Sequence, residues 1–186
     1  MNETEKLRPN IEIIPALLEQ KPILANLLEL YSHDFCDFVA LEIGPDGRFG
    51  YSDLDIYWTE PARHPLLVYV DNRLAGFVLV DGLPRGSPDV MVWDVAEFFV
   101  LRGYRRTGIG TQVAHQVWKR FPGRWEVRVI VSNEPAYRFW HHAITSFAGH
   151  ELDITRVEQG GRDRHLFSFE SKPAAEEPGL AAGVAE

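Results

Sequence analysis

Apolar positions recur along this chain in two rhythms, one helical and one alternating, and stretches rich in Gly and Pro separate them. From Pro22 to Phe38 the apolar residues Leu24, Leu27, Leu28, Tyr31, Phe35 and Phe38 fall at helical spacing, which predicts one or two amphipathic helices. A short strand is expected before them, around Leu7 to Ile14. The runs Leu66–Val70 and Leu74–Val80 are rich in β-formers and are separated by Asp71, Asn72 and Arg73, the pattern of a hairpin with a short turn. Met91 to Val100 is nearly continuous in apolar residues and predicts a strand buried on both faces, which makes its two carboxylates, Asp94 and Glu97, conspicuous.

The second half continues the alternation of strand and helix. Ile109, Val113, Val117 and Phe121 repeat every four residues and Pro122-Gly123 supplies a stop, so a helix is expected from about Gly108 to Phe121. Trp125, Val127, Val129 and Val131 alternate with Glu126, Arg128 and Ile130 as in a strand. Asn133 is placed to cap a helix with Pro135 in its first turn and Ala136, Phe139, Trp140, Ala143, Ile144 and Phe147 on its buried face. Two strands, roughly Glu151–Val157 and Arg164–Phe169, close the pattern. Between these elements, Gly44 to His64 reads as irregular and Gly82 to Asp89 as a loop, each rich in turn residues. The order implies a single α/β domain over residues 1–171, while the segment 172–186, rich in Ala, Glu, Pro and Gly, is expected to be disordered. No internal repeat is visible.

Composition narrows the function. Hydrophobic residues make up 45% and aromatic residues 12% of the 186, enough for one core without disulfides or a structural metal. The single cysteine, Cys36, excludes an intramolecular disulfide and a Cys-based zinc cluster, and it is assigned to packing. The histidines show no metal-ligand spacing, and no metal is expected. The polar first residues lack the apolar stretch of a secretory signal and no run approaches a membrane span, so a cytoplasmic protein without membrane contact is expected. A net charge of −8 opposes nucleic-acid binding. The charge is uneven: Glu29 to Glu60 holds eight acids against Arg48, whereas Arg102 to Arg128 holds seven bases against Glu126. A basic stretch inside an acidic protein suggests a bound polyanion, although both stretches could simply be solvated faces.

The chemistry that decides between those readings lies in Arg105-Arg106-Thr107-Gly108-Ile109-Gly110, between a predicted strand and a predicted helix. A helix N-terminus leaves backbone N–H groups unpaired and carries partial positive charge, so it attracts phosphate. Glycines at 108 and 110 would let a diphosphate approach those groups, and Arg105 and Arg106 add charge. A nucleotide-hydrolysing loop is not matched, because Thr111-Gln112 follows where Lys and Ser or Thr are needed. A dinucleotide fingerprint is not matched either, because Val113 stands where a third glycine belongs. The purely structural alternative is that both glycines only let the helix pack closely on the sheet.

The pattern Arg-x-x-Gly-x-Gly between strand and helix resembles the coenzyme A loop of the GCN5-related N-acetyltransferases. The preceding Glu97-Phe98-Phe99-Val100 and the later Asn133-Glu134-Pro135-Ala136-Tyr137-Arg138-Phe139-Trp140 look like that family's flanking strand and helix, and the likeness runs over roughly residues 22 to 170. It is similar in particular to bacterial members described only as predicted acetyltransferases. The resemblance implies a GNAT-like α+β fold whose central mixed, mostly antiparallel sheet is flanked by helices and has two splayed strands, at 91–100 and 125–131. It implies acetyl-CoA as co-substrate. Backbone groups of Phe99 and Val100 would bond its pantetheine arm. Arg105, Arg106, Thr107, Gly108, Ile109, Gly110 and Thr111 would hold its pyrophosphate, with Asn133, Phe139 and Trp140 at its border; for the two aromatic residues core packing is a compatible reading.

Transfer to an amine needs a base, because an alkylamine with a pKa near ~10.4 is almost wholly protonated at neutral pH. Glu97 is the first candidate and Asp94 the second, since burial raises a carboxylate's pKa toward a useful value. The chain departs from the family pattern at Trp140, where many members carry a tyrosine that protonates the leaving thiolate; Tyr137 and His141 are the nearest alternatives in sequence, and a surface position is expected for His141 and His142. The resemblance further implies that the segment with Tyr51, Asp53, Asp55, Tyr57 and Trp58 lines the acceptor pocket, and its carboxylates and aromatic faces favour a cationic amine of a small molecule or an exposed peptide amino group. A catalytically weakened coenzyme A sensor and an unrelated interaction domain are the alternatives. Oligomeric state is not legible; a homodimer is compatible.

Overall fold

The computed structural model describes residues 9–85, 87–150, 152 and 154–172. Strand β1 (Ile11–Pro15) leads into helix α1 (Lys21–Phe35), whose Leu24, Leu27 and Leu28 are buried. Each such side chain contributes about 1.5–3 kcal/mol of apolar burial, which is what fastens the helix to the sheet. A loop follows, ending in the single-turn helix α2 (Ile56–Thr59). Strands β2 (Arg63–Val70) and β3 (Arg73–Arg85) form the expected hairpin; Asp71 and Asn72 both adopt positive φ, 49° and 61°, as its tight turn demands. Then come β4 (Ser87–Val100), α3 (Ile109–Arg120), β5 (Gly123–Ile130), α4 (Glu134–Ala148), β6 (Ile154–Gln159) and β7 (Arg162–Ser171).

The strands form one sheet in the order β1-β2-β3-β4-β5-β7-β6, antiparallel except where β4 meets β5. This is the mixed, mostly antiparallel sheet expected from the sequence. Helices α3 and α4 cover one face, over a core that includes Val78, Val113, Trp118, Val127, Ile144 and Phe167. Helices α1 and α2 cover the other, over Leu67, Phe77, Leu79 and Phe99.

Three expectations change. The segment Gly82–Asp89 is not a loop: β3 and β4 stay paired out to Arg85 and Ser87. Pro84 is tolerated there because β2 pairs with β3 only as far as Asp81, so the outer part of β3 is an edge with no partner to require a proline N–H. Cys36 is exposed rather than packed, because it follows the last turn of α1 and its Sγ meets the Ser32 carbonyl at 3.3 Å. The irregular stretch 44–64 contains α2 and the start of β2. The expectation of a disordered tail concerns residues 172–186, of which all but Lys172 lie outside the described residues.

Candidate active site

Two departures from regular pairing in β4 shape the site. First, β4 and β5 pair only through Val92–Asp94 with Arg124–Glu126, so beyond Asp94 and Glu126 the two parallel strands part. Second, Leu79 pairs with Glu97 while Val80 pairs with Val95, which leaves Ala96 as an extra residue in β4. Residues three apart in a regular strand face opposite sides. The bulge cancels that rule and turns Asp94 and Glu97 to the same face, the one covered by α1 and α2.

On that face Glu97 accepts from the Tyr51 hydroxyl at 3.4 Å and is also bonded by Tyr31 of α1. Burial raises its carboxyl to about 7, the two tyrosine hydrogen bonds pull it back, and the neighbouring charges of Asp94 and Asp81 push it up again. Asp94 is raised to about 6, again chiefly by burial, with Arg128 opposing. Arg128 pairs with Asp94 at 2.8 Å and with Glu126, so it serves two carboxylates at once. Arg63 does the same for Asp81 and Glu60. Both tyrosine hydroxyls are raised above their ordinary value, first by burial and then by the charge of Glu97, so both stay protonated and act as donors. Glu97 is therefore a carboxylate that exchanges its proton near neutrality, held in place by two hydroxyls.

Among the acceptor-side candidates only Tyr51 reaches this carboxylate. Tyr57 is buried at 3% exposure, bonds Asp81 and lies under the Arg63 guanidinium, while Trp58 donates its indole N–H to the Ala16 carbonyl at 2.9 Å. Asp55 is exposed and pairs with Lys21. Tyr31 escapes notice in the sequence as a site residue because its spacing is that of the apolar stripe of α1; the hydroxyl it carries into that stripe is the one signal that could find it.

The glycine loop closes the other end of the site. Gly108 caps α3 in the left-handed region at φ 82°, and a Cβ there would meet nothing nearer than Gln112 Nε2 at 3.9 Å, so the approach to the helix N-terminus is open. The amides of Ile109, Gly110 and Thr111 have no backbone acceptor among the described residues. Gly110 serves packing instead, since a Cβ there would stand 3.1 Å from the Phe139 ring; its absence lets α4 pack against the start of α3. Thr107 donates its hydroxyl to the Tyr104 carbonyl at 2.7 Å and Arg106 holds φ 62°, both shaping the turn.

Arg105, expected beside a pyrophosphate, has its guanidinium elsewhere. Its Nε donates to the Val100 carbonyl at 2.6 Å, its Nη2 pairs with Asp34 at 2.6 Å, and its plane lies 5.3 Å from the Phe99 ring centre. Arg102 joins the same carboxylate, so α1 is tied to the loop after β4. Partial burial would raise Asp34, but the hydrogen bonds from Arg102 and Arg105 outweigh it and hold the carboxyl below its ordinary value. Phe99 and Val100 are buried at the parting of the strands. Asn133 accepts from the Ala136 amide at 3.0 Å, capping α4 as expected. Trp140 is buried edge-on against Phe98 at 5.0 Å, and Tyr137 packs at a tilt against His165 and Phe167 on the face away from Glu97. His141 and His142 are exposed.

Sequence and shape place this arrangement among known proteins. Residues 24–143 match the profile of the acetyltransferase (GNAT) family. No curated protein matches the sequence. An acetyltransferase from Thermus thermophilus superposes with a TM-score of 0.63 at 14% identity, covering 87% of this chain and 97% of that one. NAA60 of Arabidopsis thaliana, solved with a bisubstrate analogue, gives 0.58 at 16% identity over 87% and 98% of the two chains. YncA of Salmonella typhimurium, solved with its cofactor acetyl-CoA, gives 0.58 at 11% identity over 89% and 96%.

Proposed function

The chain belongs to the acetyltransferase (GNAT) family, and from that premise we propose that it transfers the acetyl group of acetyl-CoA directly to a primary amine, with Glu97 as the base. The acceptor is the amine of a small molecule or an exposed peptide amino group. The observation that carries the reading is the position of Glu97: a proton-exchanging carboxylate on the face of β4 where that strand leaves β5.

The residues present fit acetyl-CoA. The free amides of Ile109 to Thr111, opened by Gly108 and flanked by Arg106 and Thr107, suit the pyrophosphate. The gap between β4 and β5 beside Phe99 and Val100 suits the pantetheine arm, with Asn133, Phe139 and Trp140 along its border. Arg105, tied to Val100 and Asp34, positions the loop and would meet the pyrophosphate only by leaving those partners. The thioester supplies an activated acetyl carbon. Glu97, or Asp94 at one remove, takes the proton from the ammonium form of the acceptor. The amine nitrogen bonds the acetyl carbon, the carbon–sulfur bond breaks, and the second proton, which the nitrogen sheds as it becomes an amide, passes through water to the thiolate, since Trp140 has none to give. A backbone N–H of the parted strand near Phe99 stabilises the charge that grows on the thioester oxygen. Tyr51 and Tyr31 hold Glu97 and border the acceptor.

Trp140 also supports a second reading, a domain that binds coenzyme A without turning it over. Acetyl-CoA offered with polyamines, aminoglycosides, amino acids and peptide N-termini, followed by free thiol release and mass spectrometry of the acceptor, separates the two. Acetylated amine is expected; binding without any acetylated product would establish the sensor instead.

A further inference from the structure

The face of the sheet that carries Glu97 bears several arginines, and Arg63, Arg128 and Arg164 among them are not alike. Arg63 and Arg128 each answer two carboxylates. Arg164 of β7 answers none: among the described residues it has no ion pair, and its Nε is buried with no hydrogen-bond acceptor. A buried guanidinium N–H without an acceptor is costly, and such a group persists where a ligand completes it.

Its place in the sheet says which ligand. Glu126 pairs with Ser168, Arg128 with Leu166 and Ile130 with Arg164, so Arg164 shares the face of Arg128, Asp94 and Glu97. It lies four residues beyond the last contact of β5 with β4, on the far bank of the gap from Glu97. The core packed by α4 lies on the opposite face, and on this face α1 and α2 pack against β2 and β3. The segment after α1 reaches the end of β5, where Ser132 Oγ donates to the Phe38 carbonyl at 3.5 Å. The charge of Arg164 acts on the Tyr31 hydroxyl, which itself bonds Glu97, so the guanidinium lies within electrostatic reach of that pair.

We propose that Arg164 anchors a carboxylate of the acceptor, so that the acceptor is a small amino acid whose amine lies at Glu97 and whose carboxylate lies at Arg164. The planar fork of a guanidinium matches a carboxylate, and the pair is charge-assisted. Strands β4 and β7 lie two strand spacings apart, at least about 9.5 Å, so both side chains must lean inward to meet one small molecule, and amino acids with the amine several bonds from the carboxylate fit that span best. This inference rests on the transfer reading above and narrows its acceptor from any primary amine to one class.

The test is a ladder of paired acceptors: ω-amino acids of two to six carbons and the common α-amino acids, each against its amide and the amine lacking the carboxylate. The carboxylated member should exceed its pair by about 10- to 100-fold in kcat/KM, mostly through KM. In Arg164→Gln that ratio should collapse toward one, and Arg164→Lys, which keeps the charge but not the fork, should fall between. Melting curves and acetyl-CoA titration establish that each variant is folded. Amines acetylated with no preference for the carboxylate, or a preference that survives in a folded Arg164→Gln, would overturn this inference and leave the transfer reading standing. Failure of every amine to be acetylated would overturn both.

Discussion

Replacing Glu97 by Gln separates chemistry from folding, because the two should move in opposite directions. Gln keeps the size of the side chain and the oxygen that Tyr31 and Tyr51 bond, but it cannot take a proton. A positioned general base contributes about 10²- to 10⁴-fold, so the variant's kcat/KM at pH 8 should fall by that factor. The rate of any amine acetylation rises with pH as the acceptor loses its own proton, so the informative quantity is the ratio of native to variant rates at each pH. With the carboxyl raised to about 7, that ratio should be flat above pH 8 and shrink roughly tenfold per unit below pH 7, as Glu97 becomes protonated.

Stability should show the mirror image. A carboxyl raised on folding favours the neutral form, so its stabilising contribution is complete below the ordinary value of 4.5 and is lost as pH rises through about 7. The Gln side chain is neutral throughout. At pH 8 the variant should therefore be more stable than the native chain, by at most about 3 kcal/mol, and at pH 4 the two should melt together. Free thiol release gives the rates and thermal melts give the stabilities. A rate ratio near one at every pH, or a large ratio that does not change with pH, would refute Glu97 as the base.

Other perturbations test the scaffold. Gly110→Ala should destabilise by about 1–3 kcal/mol, because its Cβ would stand 3.1 Å from the Phe139 ring, and Phe139→Leu in the same chain should recover part of the loss in a double-mutant melt. Asn133→Ala removes the cap on the Ala136 amide and should cost about 1 kcal/mol in urea unfolding. Asp34 has a carboxyl lowered by Arg102 and Arg105, so its contribution is present above the ordinary value of 3.8 and fades as pH falls through the lowered one. Asp34→Asn should accordingly cost about 0.3–1 kcal/mol at pH 7, after solvent screening, and progressively less as pH falls below the ordinary value of 3.8.

The elements were legible because their periods are clean: the four-residue repeat from Ile109, the alternation from Trp125 and the Asn133 cap each gave the observed element within a residue or two. The stretch Gly82–Asp89 was not, since proline and glycine mark both a loop and a strand edge, and only the end of β2 at Asp81 distinguishes them. In the site, Asp94 and Glu97 were both marked by their charge in an apolar strand. That they share a face was hidden, because a period of two puts them on opposite sides and the bulge at Ala96 has no sequence signal of its own. Arg164 and Arg105 show the same limit from the other direction: charge is visible in sequence, but whether a guanidinium meets Asp34 or no carboxylate among the described residues depends on contacts 71 residues apart in the one case and on the parting of β4 from β5 in the other.

The most direct measurement is a calorimetric titration of acetyl-CoA into the purified protein and into Gly108→Leu. The open amides behind Gly108 predict single-site binding to the native chain and an affinity at least about tenfold weaker in the variant, where a side chain at φ 82° stands before them. Absence of any binding heat, or equal affinity in a folded Gly108→Leu, would contradict it.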